Sequence, residues 1–509
     1  MATSDNTQHD RLETLRVRRV NYATLDIECS RSVAAELREH FSFFVPGYKF
    51  MPAFRNRVWD GKIRLFNSQT NELPNGLYTH LLEFTDRNKY VVESYDDVKY
   101  GNPATKEPID PKNLLKFVES LNLPFTIRDY QFAACAMALE RTNAILLSPT
   151  GSGKSLIIYV IVKYFLLMLT NGVKYPKGGR VLVIVPTTSL VEQMHNDFIS
   201  YGQEERGMHK IYSGKDKNFD TAICISTWQS IYKLPKTWYD QFGMVIGDEC
   251  HGFKSKSLMS IMNKAAEAKY RFGTTGTLDG TQTHELVLQG LFGKTIKVTT
   301  TKSLQDNDTL APLEITRLVL EHDEQNKKDM VGKTYQEEID YIVTNEKRNK
   351  FITNLVNGLE GNSLVLFQYV DKHGKPLFDL ISNKVEENRK VFFVSGQTDT
   401  ADREAIRGIT EKQKNGIIVA SLGTFSTGIN IRNLHNIIFA SPSKSQIRVL
   451  QSIGRGLRKS DDGSVTKLYD LIDDISWKSN KNFALLHGFE RAKIYNNEKF
   501  NYKSYKVKI

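Results

Sequence analysis

The chain has 509 residues, 40% apolar and 25% charged, and its 69 Lys and Arg outnumber its 58 Asp and Glu to give a formal charge of +11. The length exceeds what one hydrophobic core can organise, which favours about three domains, and the composition is that of a soluble globular protein with a polyanionic partner such as nucleic acid. Cys29, Cys135, Cys224 and Cys250 form no CxxC pair, which excludes a disulfide frame or a zinc ribbon.

The opening residues, MATSDNTQHDR, contain no apolar signal segment. Residues 16–29 alternate as a strand should, and SVAAELREHFSFF reads as a helix with a capping serine. The turn-rich stretch 101–113 reads as a linker, so a small α+β domain is expected over 1–115. Within it Lys49, Arg55, Arg57, Lys62 and Arg64 face only Asp60 and alternate with Tyr48, Phe50, Phe54, Trp59 and Phe66. The cations, with Trp59, are candidate DNA contacts; the rings are read mainly as core.

Short apolar runs then alternate with helical patterns: AILLS, VLVIV, AICIS, MVIGD and YRFGTT over 144–275, and a second series over 364–472. Strands buried on both faces between helices predict two parallel-sheet α/β lobes, 116–305 and 306–475. Residues 476–509 read as a separate basic segment. The longest apolar run, 156–169, is broken by Lys163 and too short to cross a bilayer, so a cytoplasmic protein without a membrane partner is expected.

The stretch 148–155, SPTGSGKS, lies between a strand and a helix. Gly151 and Gly153 let backbone N–H groups approach phosphate, Lys154 supplies an ammonium for the β/γ-phosphates, and Ser155 offers a hydroxyl to Mg²⁺, with Pro149, Thr150 and Ser152 completing the loop. Ser148 replaces the usual first glycine. At 244–251, MVIGDECH places Asp248 at a strand end to hold Mg²⁺, Glu249 to activate water, and His251 to relay the nucleotide state. Upstream, Gln131 with Arg128 is a candidate adenine reader. Arg455 and Arg458, one helical turn apart, are candidate arginine fingers.

In order, IRDYQ, SPTGSGKS, VPTTSLVEQ, STWQS, DECH, TGT (275–277), LFQYV, FSTGIN and QSIGRGLR resemble the motif set of superfamily 2 DExH-box helicases. The resemblance implies RecA-like lobes in which Lys154, Ser155, Asp248, Glu249, Arg455 and Arg458 bind and hydrolyse MgATP. It implies that Thr275 and Thr277 couple hydrolysis to motion, with Gln451 at the interlobe cleft, and that Thr187, Thr227 and Thr427 touch nucleic-acid backbone. Gly428 and Asn430 would lie by the nucleotide; Asn430 stands where aspartate is common. The segments VPGYKFMPAFRNRVWDGKIRLFN, LFGKTIKVTTTKSL, GKTYQEEI and FERAKIYNNEKFNY further resemble the UvsW helicases of T-even-type bacteriophages. That implies a monomeric DNA helicase in the host cytoplasm, acting on branched intermediates: Holliday junctions, forks, displacement loops and RNA-containing loops. An RNA helicase or an ATP-switched annealing clamp are the alternatives.

Overall fold

In a computed structural model the described residues are 13–174, 178–278, 280–386, 389–424, 433–442, 445, 449–450, 452–454, 457 and 463–509. They form two compact units, one of residues 1–147 with 155–298, the other of 148–154 with 299–509.

The first unit opens with a four-stranded sheet in the order β5-β2-β1-β6. Strands β1 (Thr14–Asn21) and β2 (Thr24–Glu28) are an antiparallel hairpin, not the single strand expected over 16–29. The reason is local: Asn21 Oδ1 accepts from Ala23 N–H at 2.8 Å and turns the chain. Alternation sends Leu15, Val17, Leu25 and Ile27 inward, onto the helix Arg31–His40, whose start Ser30 caps by accepting from Val33 N–H. β5 (Glu72–Pro74) pairs antiparallel with β2, and β6 (Val91–Ser94) parallel with β1. Two short strands, β3 (Ser42–Phe44) and β4 (Lys62–Arg64), pair separately and hold the cation-and-ring segment between them.

The following seven-stranded sheet is parallel throughout, ordered β13-β7-β12-β11-β8-β10-β9. Its members are β7 (Asn143–Leu147), β8 (Arg180–Val185), β9 (Met208–Ile211), β10 (Ile223–Thr227), β11 (Phe242–Asp248), β12 (Tyr270–Thr275) and β13 (Thr295–Lys297). Helices cover both faces, and so Val181 through Val185 are essentially inaccessible.

The N-terminal domain is fastened to this sheet. Leu286 completes its core, Tyr22 N–H donates to Ala266 O at 3.0 Å, and Lys99 and Tyr100 bind the buried Glu267 carboxylate. The expected linker is anchored as well, by Glu107 N–H on Glu140 O at 2.8 Å and by the Lys269–Glu107 ion pair.

The second seven-stranded sheet, again parallel throughout, runs β16-β17-β15-β18-β19-β14-β20. Its strands are β14 (Leu313–Glu321), β15 (Ser363–Phe367), β16 (Val391–Val394), β17 (Ile417–Ser421), β18 (Asn436–Phe439), β19 (Thr466–Asp474) and β20 (Tyr502–Lys508). Residues 476–509 are therefore not a separate tail. The helix Phe483–Asn497 packs on β19, where Arg491 binds the buried Asp470 at 2.7 Å, and β20 forms the sheet edge beside β14. Among the described residues no helix is long and apolar enough to cross a membrane.

Candidate active site

The carboxyl ends of the parallel strands carry the predicted residues, the edge at which such sheets bind ligands. The loop after β7 begins at Ser148, which is fully buried, and its Oγ lies 2.5 Å from Ser152 Oγ. Ser152 in turn donates to Pro149 O at 2.7 Å. The serine in place of glycine thus ties the loop from inside, a function a glycine could not supply. Gly151 and Gly153 have φ of +83° and +80°, the left-handed region that favours glycine. Lys154 Nζ lies over the loop, donating to Ser148 O at 3.2 Å, and the helix Lys154–Thr170 starts there. Within the same unit Gly454 packs on the loop: a Cβ at 454 would stand 2.7 Å from Thr150 Cβ.

Two strands over in the sheet, β11 ends at Asp248, which is mostly buried and accepts from Thr274 Oγ1 of β12 at 2.6 Å. Parallel register places Asp248 beside Thr274 and Gly247 beside Gly273. Neither glycine could carry a side chain: a Cβ at 247 would meet the Phe253 ring at 2.7 Å, and one at 273 would meet Cys250 Sγ at 2.9 Å. Glu249 follows at φ +50°, left-handed backbone that costs about 1–3 kcal/mol for a residue with a Cβ and so turns its carboxylate out of the strand direction.

Thr275, fully buried at the end of β12, joins the predicted acid and coupling groups. Its Oγ1 lies 3.4 Å from Glu249 Oε2, 3.0 Å from His251 Nδ1 and 3.0 Å from Thr277 O, and it accepts from Thr277 N–H at 3.4 Å. His251 Nδ1 is also 3.3 Å from Glu249 Oε2. Glu249, His251, Thr275 and Thr277 are thus one hydrogen-bonded group.

Other predicted residues have local roles the sequence reading missed. Gln131 is buried, and its Oε1 accepts from Arg128 N–H at 3.0 Å, closing the start of the helix Asp129–Arg141. A Gln three residues beyond a helix N-cap is a readable capping signal. Thr187 caps the helix Thr188–Ser200, accepting from Leu190 N–H, and Thr227, at the end of β10, lies 2.9 Å from Ser230 Oγ. Tyr201, which no motif flags, sits with its OH 3.0 Å from Ser155 Oγ. Thr427, Gly428, Asn430, Gln451, Arg455 and Arg458 lie outside the described residues.

In the N-terminal segment Phe66 is core, as expected of the rings, but Phe50 is 76% exposed, and Tyr48 and Trp59 are only half-buried. Val58, which the ring-and-cation pattern did not single out, is 81% exposed. Lys49, Arg55, Arg57 and Trp59 line an open cavity of about 510 Å³. Lys62 pairs with Glu39 at 2.8 Å and Arg64 with Asp60, so these two cations are partly neutralised.

Three family models match: "Type III restriction enzyme, res subunit" over 124–280, "DNA helicase UvsW, N-terminal" over 14–95 and "Helicase conserved C-terminal domain" over 346–460. The ATP-dependent DNA helicase UvsW of Enterobacteria phage T4 is 36% identical over 500 residues, covering 95% of this chain and 97% of that one. The chain belongs to the UvsW helicase family. Members of this family are enzymes that hydrolyse ATP, and the motifs place it in superfamily 2. The crystal structure of T4 UvsW aligns with 97% of this chain and 99% of that one, at 34% identity and a TM-score of 0.49. A fragment of a putative HsdR subunit of a type I restriction enzyme from Vibrio vulnificus shares the fold, at 15% identity, 88% of each chain and a TM-score of 0.56.

Proposed function

We propose that this UvsW-family enzyme couples ATP hydrolysis to the unwinding or branch migration of branched DNA: Holliday junctions, forks, displacement loops and RNA-containing loops, in phage recombination, replication and repair. The observation that carries the reading is the bonding of Thr275 to Glu249, His251 and Thr277, because it lets a change at the hydrolytic acid reach the neighbouring loop directly.

The donor set suits MgATP. Gly151, Gly153 and the first N–H groups of the helix Lys154–Thr170 receive phosphate oxygens, and Lys154 exchanges its loop carbonyls for the β/γ-phosphates. Ser155 and Asp248 would hold Mg²⁺, whose charge offsets that of the phosphates. Glu249 orients and deprotonates the attacking water. Gln131 and Arg128 are the candidate adenine readers, and Arg455 and Arg458 the candidate arginine fingers for the γ-phosphate. The N-terminal domain adds Lys49, Arg55 and Arg57 for phosphates and exposed rings for unpaired bases.

The test is steady-state ATP turnover at fixed salt without nucleic acid and with single-stranded DNA, duplex, four-way junction or RNA, using Lys154→Ala as blank. Strongest stimulation by junction or single-stranded DNA supports the proposal. Stimulation mainly by RNA moves the function to RNA remodelling, and turnover indifferent to nucleic acid refutes a motor.

A further inference from the structure

Strands β14 and β19 are adjacent, and their register ends with Glu321 beside Asp474 at the carboxyl edge of the second sheet. The segments that leave them, 323–337 and 476–490, form one surface. The Tyr335 and Phe483 rings meet edge to face at 5.6 Å, Lys328 Nζ lies 4.8 Å from the Trp477 ring centre, and Lys481 Nζ lies 5.1 Å from that of Phe489. Tyr335, Phe483 and Phe489 remain 37%, 40% and 41% exposed, with Leu486 and Val331 beside them at 42% and 44%.

The surface is held firmly. The buried Glu338 carboxylate accepts from Asn482 Nδ2, Phe483 N–H and Ala484 N–H at 2.7–2.9 Å, fixing the start of the helix Phe483–Asn497. Lys478 sits at φ +53° in the turn that the Trp477–Asn480 backbone pair closes. Among the described residues Lys328, Lys478 and Lys481 take no ion pair. Of the nearby acids, Asp323 pairs with Lys347, Glu337 binds Thr334 and Lys333, Glu490 pairs with Lys493 and Asp329 accepts from Gln325 Nε2, while Glu324 and Asp329 take no ion pair among the described residues.

We propose that this ring-and-lysine surface is a second DNA contact that binds single-stranded DNA, its bases stacking on Tyr335, Phe483 and Phe489 and its phosphates meeting Lys328, Lys478 and Lys481. Exposed aromatic faces need unpaired bases, and lysines set over the rings reach the phosphate beside a stacked base. The position at the carboxyl edge of a parallel sheet is where such folds take ligands. The proposal rests on the reading of the chain as a DNA motor.

The test is photocross-linking of the full chain to a single-stranded oligonucleotide carrying 5-iododeoxyuridine, with the attached residues identified by mass spectrometry. It is paired with fluorescence anisotropy of the same strand for Phe489→Ala and for Lys328→Ala with Lys481→Ala. Expected are adducts on Tyr335, Trp477, Phe483 or Phe489, a five- to tenfold weaker affinity for Phe489→Ala, and a log–log salt slope lower by about 0.7 for each lysine removed. Adducts confined elsewhere, with unchanged affinity and salt slope, overturn this surface while leaving DNA-stimulated ATP turnover and the motor reading intact. Failure of the wild-type chain to bind DNA at all overturns both.

Discussion

Replacing Thr275 by valine preserves shape and removes one hydroxyl. That oxygen lies within 3.4 Å of Glu249 Oε2, His251 Nδ1, Thr277 O and Thr277 N. A hydroxyl has one proton, so it serves either Glu249 or the Thr277 carbonyl as donor at any moment and accepts from the other two. Valine therefore ends about two good hydrogen bonds, each worth roughly 1 kcal/mol, and leaves at least one buried polar group unpaired at a further ~1 kcal/mol. A loss of about 2–3 kcal/mol follows, or a Tm lower by about 3–5 °C for the first unit, taking about 1.6 °C per kcal/mol from an unfolding entropy of ~2.1 cal/mol/K per residue. The functional consequence is larger than the thermal one. Basal ATP turnover persists, because Lys154, Asp248 and Glu249 remain, but stimulation by DNA falls about tenfold or more. Thr275→Ser restores most of it. The assay is the ratio of turnover with and without single-stranded DNA at a temperature well below the variant's Tm. A valine variant that keeps the wild-type ratio would refute the reasoning that this hydroxyl transmits the state of the acid.

Further expectations follow from other contacts. Tyr201→Phe removes the partner of Ser155 Oγ, and should raise the Mg²⁺ concentration for half-maximal nucleotide binding a few-fold, measured with a fluorescent ATP analogue in a Glu249→Gln background. Ser152→Ala unties the loop from Ser148 and Pro149, and should raise KM for ATP more than it lowers kcat. Asp473→Asn breaks a fully buried pair with Arg348 and should cost about 3–5 kcal/mol, read from the denaturant midpoint of the second unit. Burial depresses His373 to a pKa of about 3 from an ordinary value near 6.5, so the folded state holds it neutral while the unfolded chain takes up a proton. The stability it contributes is complete above pH ~6.5 and falls by about 1.4 kcal/mol per unit as pH drops towards 3. His373→Gln should flatten the stability–pH curve over that window.

The parts written locally in the sequence were legible. A phosphate loop needs glycine, lysine and hydroxyl within a few residues, and an acid pair at a strand end is equally local, so 148–155 and 248–251 could be read directly. The two sheets followed from continuous apolar runs that only burial on both faces explains. Contacts made across distance were not legible. Tyr201 reaches Ser155 from 46 residues away, with no spacing rule to announce it. The cations of 476–509 read as a separate basic segment because charge masks the strand at its end, whereas β20 is a sheet edge, and lysine is a usual occupant of exposed edge strands. The expectation that the N-terminal rings are core holds for Phe66 and fails for Phe50, since a pattern of aromatics does not say which face packs. Phe66 fell to the core and Phe50 to solvent.

The placing of β14 between β19 and β20 has a cost during synthesis. The apolar strand LEITRLVLE emerges from the ribosome early, yet its two partners begin 145 and 181 residues after its last residue (466 and 502 against 321). At about 5–20 residues per second, both its edges stay open for roughly seven to thirty seconds. Through that interval the nascent second lobe presents an unpaired β-strand to its neighbours, and the yield of active enzyme should depend on chaperone supply and translation speed more than on the stability of the finished fold.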